Sequence, residues 1–213
     1  MPPNTFAQRL FSLSGLVPLA AFVILHVAEQ FRAVFAGTRP ALGDLGGSAP
    51  ARLLLLWAPL AFHALYGLRL CFKPIETFGA GSALVTKSRL LGGIGRVTGL
   101  IALVFIVLHA RGFSGATPFE RLGGADRSNE LYATLSSTLF GLPLVAAGYV
   151  SGLLAVGFHL AYGCYTAALR FGYARSPSGA RRLLQLVTLA TLGWLALGIG
   201  TVVKTATGTV LPF

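Results

Sequence analysis

The chain has 213 residues, of which 54% are hydrophobic and only 11% charged, against about 25% charged in a typical soluble domain. So few charges cannot coat a water-facing surface of this size, and the bilayer is the expected solvent. The net charge of +11 does not point to nucleic acid, because the basic residues are scattered between apolar runs and form no continuous stripe or reader motif.

A bilayer core about 30 Å thick needs about 20 apolar residues in a helix, and five segments meet or approach that length. The first is predicted over 10–34. Its apolar run from Leu10 to Ala28 is too long for a signal peptide and no small-x-small site closes it, so it reads as a retained span. Pro18 lies inside it and removes a backbone hydrogen bond, which predicts a bend. The second span is predicted over 51–72, with Pro59 one turn before His63, where a bend helps to aim that side chain. The third, 95–112, is the shortest and is expected to extend backwards through "LLGGIG". The connection 113–141 carries turn signals in "LGGADRSN" and then "ELYATLSSTLF", read as a short helix in the membrane interface. The fourth and fifth spans are predicted over 142–170 and 181–203. The expectation is one all-α integral membrane domain over 1–213, with five transmembrane helices.

With the N-terminus inside, the cytoplasmic segments carry ten basic residues and one acid, and the outer segments carry seven basic residues and five acids. The Lys and Arg bias therefore places the N-terminus in the cytoplasm and the C-terminus outside. Cys71 and Cys164 make no disulfide framework and read as small core residues.

The four histidines, His26, His63, His109 and His159, fall one in each of the first four spans. Two lie in near-identical strings, "FHALYG" from Phe62 and "FHLAYG" from Phe158. Polar residues inside spans are rare and usually functional. The first and third helices run outward with their histidines late, and the second and fourth run inward with theirs late. His26 and His109 thus form an outer pair, and His63 and His159 an inner pair. At 1.5 Å rise per residue the two levels are expected to lie roughly 10 Å or more apart.

Two imidazoles at one depth on facing helices can clamp one metal ion, but zinc lacks further acidic or thiolate ligands here. Haem needs only two axial ligands from the protein, and bis-histidine ligation leaves no open iron position, so such a haem carries electrons. The first four helices are therefore expected to form a bundle around two haems b. Each ligating ring is expected to donate its other N–H to a carbonyl one turn back in its own helix. Gly15, Gly148, Gly152, Gly67 and Gly163 are spaced to share faces with the histidines, making room for a flat macrocycle. Tyr66 and Tyr162 read as packing or interface residues. The competing reading is a haem-free membrane anchor or transporter whose histidines bond helix to helix.

A bundle with this histidine pattern resembles the five-helix, single-subunit, di-haem cytochrome b anchors of succinate:quinone oxidoreductases. The stretches that carry the likeness are "RLFSLSG", "FHALYG", "GRVTG" with His109 thirteen residues after Arg96, "FHLAYG" and "SPSGARR". The resemblance implies a flavoprotein and an iron–sulfur subunit docked on the cytoplasmic face of a bacterial membrane, interconverting succinate and fumarate. Electrons would then pass through the inner and outer haems to or from a quinone, menaquinone in this class. A dimer of complexes is compatible with it. It also makes His63 and His159 the inner ligands and His26 and His109 the outer ones, as the topology does. Arg9, Ser14, Arg96 and Arg170 approach the inner face and are candidates for haem propionate contacts. Glu29, one turn past His26, is a candidate proton relay for an outer quinone. Other di-haem quinone cytochromes, such as those of formate dehydrogenases and hydrogenases, usually place two histidines on one helix. No nucleotide loop, nucleophile–base constellation or cysteine cluster is present, so succinate chemistry is not expected of this chain itself.

Overall fold

The computed structural model describes residues 6–36, 50, 53–75, 82–113, 135–173 and 176–208. Five helices are long and apolar enough to cross a membrane: Phe6–Ala36, Leu53–Cys71, Arg89–Ala110, Leu144–Arg170 and Pro177–Thr207. They are called the first to fifth spans below. In hydrocarbon every backbone N–H and C=O must be satisfied internally, which a helix achieves within itself. The third span belongs to a longer helix, Ser82–Phe113, so the helix does extend backwards from Gly95. Of the expected interface helix in "ELYATLSSTLF", residues 130–134 lie outside the described residues, and the rest is helical for two residues only. Leu135 and Ser136 are helical, and the chain then closes an isolated antiparallel bridge between Leu139 and Leu142.

The two intramembrane prolines both sit at widened turns. Pro18 lies inside a π-helical turn, Gly15–Leu19, and Pro59 lies two residues past the end of another, Leu53–Trp57. Proline has no N–H, and its ring clashes with the carbonyl four residues back. An i→i+5 turn takes in one extra residue and lets the helix continue through the break.

The first four spans form a ring. The first packs on the second and touches the fourth, the second touches the third, and the third packs along the fourth. The fifth lies outside this ring, against the fourth and the first. Its anchor is a cluster of Val27, Leu135, Leu153, Trp194 and Val202. The Trp194 indole N–H donates to the Val23 carbonyl at 3.4 Å, and Gly198 lets Leu153 and Val27 approach the fifth helix. Much of the remaining apolar surface faces outward: Leu54, Leu65, Leu108 and Leu186 are all about two-thirds exposed, as a lipid-facing surface requires.

Helix ends are closed by specific partners. The fifth span starts at Ser176, whose hydroxyl accepts from the Gly179 N–H at 3.0 Å, and ends at Gly208 in the left-handed region. The C-terminal end of the second span is held by Arg96, which donates to the Cys71 and Pro74 carbonyls at 3.2 Å each.

Candidate functional site

The four histidines are brought together in the two pairs expected from the topology. His63 and His159 face each other across the ring with centroids 6.1 Å apart and planes at 84°. His26 and His109 do the same at 5.9 Å and 75°. Each pair joins diagonal members of the four-helix ring, second to fourth and first to third. On the third span Gly99, which lies against His159, precedes His109 by ten residues, so the two levels are about 15 Å apart at 1.5 Å per residue.

These spacings can be tested against the group the donor set implies. A metal–imidazole bond of about 2.0–2.1 Å, with about 1.1 Å from ring nitrogen to ring centre, gives about 6.3 Å between centroids of two rings ligating one ion from opposite sides. The observed separations are within about half an ångström of that. No group of three or more His, Cys, Asp or Glu able to hold a metal ion occurs among the described residues. Each pair thus offers two nitrogens and no third ligand, the set that suits a macrocycle supplying its own four.

The inner pair is held by neighbouring helices. His63 Nδ1 lies 3.2 Å from the Phe11 carbonyl and 3.3 Å from the Ser14 hydroxyl, both on the first span. His159 Nδ1 lies 3.0 Å from the Gly95 carbonyl on the third. This corrects the expectation that each ring bonds a carbonyl one turn back in its own helix. The reason is local: Gly15 and Gly99 stand four residues after those carbonyls, and their bare Cα atoms let the rings lie against the backbone. A Cβ at Gly15 would come within 2.6 Å of His63 Cε1, and one at Gly99 within 2.7 Å of His159 Cε1. Since a carbonyl only accepts, Nδ1 carries the proton in both rings, and Nε2 keeps its lone pair. Phe11 also stacks on His63, with centroids 4.4 Å apart.

The outer pair is framed by aromatics. Phe22 stacks on His26 at 5.5 Å and Phe105 on His109 at 5.6 Å. The Tyr149 hydroxyl lies 3.4 Å from His109 Nδ1, and its ring meets both His109 and Phe105 edge-on. Gly152 admits the Phe105 ring, which a Cβ there would overlap.

Gly15 therefore serves His63 rather than a macrocycle on the face of His26. Gly67 contacts the edge of Phe11, while Gly148 and Gly163 face open space. Tyr66 and Tyr162 pack on aromatic neighbours as expected. Among the propionate candidates, Ser14 is buried and donates to the Phe11 carbonyl at 2.8 Å. Arg170 donates to the Gln8 carbonyl at 3.3 Å and to the Ser12 hydroxyl. Arg96 closes the second span, and Arg9 is exposed. Glu29 is half-buried one turn beyond His26.

Phe11, Thr98 and Gly99 enter the sequence reading only inside the stretches "RLFSLSG" and "GRVTG", with no role of their own, and Phe105 and Tyr149 have no place in it. A signal for most of them exists. "FVILH" at 22–26 and "FIVLH" at 105–109 repeat on the first and third spans, and Ser14-Gly15 matches Thr98-Gly99. The interval from glycine to histidine is eleven residues in the first span and ten in the third. The π-helical turn Gly15–Leu19 absorbs the extra one, so both levels stay in register.

No protein-family model matches the chain, and no solved structure matches it. Among curated proteins, the succinate dehydrogenase cytochrome b558 subunit of Bacillus subtilis (strain 168) is 28% identical over 189 residues, 86% of this chain and 88% of that protein. Along most of its length, then, this chain is similar to a succinate dehydrogenase cytochrome b subunit, the resemblance that its histidine motifs carry.

Proposed function

We propose that this chain is the membrane anchor and electron-transfer subunit of a succinate:quinone oxidoreductase, holding two haems b. The observation that carries the reading is the pair of histidine clamps, each spaced for one ion between two imidazoles and each set between diagonal helices. When bound, a haem held by two histidines would supply one-electron transfer. His63 and His159 would offer Nε2 to the inner group while their Nδ1 protons stay on the Phe11 and Gly95 carbonyls. His26 and His109 would hold the outer group, with Phe22, Phe105 and Tyr149 restricting their rings. Arg9, Ser14, Arg96 and Arg170 are the candidates for the carboxylates of the inner group, because they cluster at that end.

The N-terminal end is assigned to the cytoplasmic face, where the basic excess would meet the iron–sulfur and flavoprotein subunits. Succinate oxidation or fumarate reduction belongs to those subunits. A quinone, menaquinone by resemblance, is placed at the outer level, where Glu29 can take up or release its protons. Charge crossing the membrane then involves about 2.3 kcal/mol per 100 mV, which couples the reaction to the membrane potential.

The test is reduction by succinate. In membranes holding the intact complex, succinate should reduce b-type absorbance that is lost when this chain is deleted, and the chain should purify with two soluble partners. A chain that purifies without them, or whose absorbance ignores succinate, overturns the reading. Glu29→Gln should slow succinate–quinone turnover with both haem spectra intact, and an unchanged rate removes Glu29 from the proton path.

A further inference from the structure

The inner histidines are seated by one device built twice. On the first span it comprises the Phe11 carbonyl, the Ser14 hydroxyl and the bare Cα of Gly15. On the third it comprises the Gly95 carbonyl, the Thr98 hydroxyl and the bare Cα of Gly99. In both, the carbonyl receives the imidazole Nδ1–H, the hydroxyl three residues on reaches that same carbonyl (for Thr98 as the longer arm of a bond shared with Ile94), and the glycine four residues on clears the ring. Ser14 Oγ is 2.8 Å from the Phe11 carbonyl, and Thr98 Oγ1 is 3.2 Å from the Gly95 carbonyl as well as 2.8 Å from that of Ile94.

We infer that residues 11–15 and 95–99 form a duplicated clamp that fixes the rotation of His63 and His159 and sets how strongly each Nδ1–H is held. This rests on the reading of the inner pair as haem ligands. The rotation follows from sterics and the tautomer: with Nδ1 bound to a carbonyl and Cε1 pressed on a glycine, the ring has one orientation in which Nε2 faces its partner. The tuning follows from competition for one oxygen. A hydroxyl that donates to the carbonyl weakens its acceptance from Nδ1–H, and acceptance there raises the basicity of the ligating ring. Ser14, Gly15, Thr98 and Gly99 are thus positioning residues for the inner site.

The experiment uses the intact complex, with the two haems resolved by redox-titrated difference spectra and by the paramagnetic resonance of the oxidised low-spin iron, which reports ligand-ring orientation. Gly99→Ala brings a methyl to 2.7 Å from His159 Cε1 and 2.9 Å from Nδ1, and should displace or abolish the inner low-spin signal while the outer one stays. Thr98→Val keeps the side-chain shape and removes the hydroxyl. Two haems should remain, and the inner midpoint potential should fall, because a more basic ring favours the oxidised iron. A threefold change in the reduced-to-oxidised ratio is a shift of about 28 mV for one electron. Thr98→Ser should restore the potential. If Gly99→Ala fails to assemble, Thr98→Val and its serine rescue decide. An inner potential unmoved by Thr98→Val, or one that moves equally with the outer, overturns the clamp. Fewer than two haems in the unaltered chain overturns the haem reading itself, a different failure.

Discussion

Replacing Gly163 with leucine separates space needed by the bare chain from space kept for a bound group. Gly163 follows His159 by four residues, on the same helix face, and a Cβ there meets nothing within 4 Å. Judged by the protein alone, the first carbon of a leucine side chain at Gly163 meets no neighbour. The substitution should instead favour the helix by about 0.8–1 kcal/mol, since glycine is that much poorer than good helix formers in a helix interior. If a macrocycle is held between His63 and His159, however, an isobutyl group one turn from His159 would compete with it for that space. The variant should then be as abundant as the parent, yet carry one haem per chain instead of two, with the outer signal retained and the melting temperature lowered by the loss of a bound group. Pyridine haemochrome counts and melting of the purified variant are the assays. Two haems with an undisturbed inner signal would refute the reasoning, because the open space beside Gly163 would then have no occupant. Gly152→Ala is the contrasting control. There the new methyl overlaps the Phe105 ring, and overpacking of about 1–3 kcal/mol should lower the melting temperature by itself.

Other outcomes follow from the same geometry. His26→Leu and His109→Leu should each remove the outer haem and spare the inner, while His63→Leu and His159→Leu should do the reverse. Haem counts that fall together in all four would contradict the pairing. Tyr149→Phe removes the hydroxyl 3.4 Å from His109 Nδ1 and should shift the outer potential alone, measured by redox titration. Arg96→Ala releases two carbonyls at the end of the second span. Hydrogen bonds from charged groups contribute about 1.5–3 kcal/mol, discounted here because one of the two is exposed, so thermal melting should show a drop of a few degrees.

The five spans and the pairing of histidines were legible because both follow from one-dimensional patterns. Apolar length gives the spans, and alternating helix direction converts sequence position to depth. What failed was rotation about a helix axis. The even spacing of 100° per residue put Gly15 on the face of His26, but the wide turn at Pro18 adds a residue between them. With that residue discounted the interval is ten, as from Gly99 to His109, about a quarter-turn off the histidine face. Partner identity was equally hidden for Nδ1 of His63 and His159. Local geometry offers a carbonyl in the same helix, and only the close approach allowed by glycines on the next helix makes a better one. The fifth helix could be found as a span, but its seat against the first and fourth depends on Trp194, Val27 and Leu153 meeting, which periodicity does not encode.

The central claim is that each histidine pair holds one haem b. The most direct measurement is the haem count of the purified chain, by pyridine haemochrome, together with its dithionite-reduced minus oxidised spectrum. The account predicts two haems b per chain, both low-spin. None, or one, would contradict it and leave the facing histidines as helix-to-helix contacts.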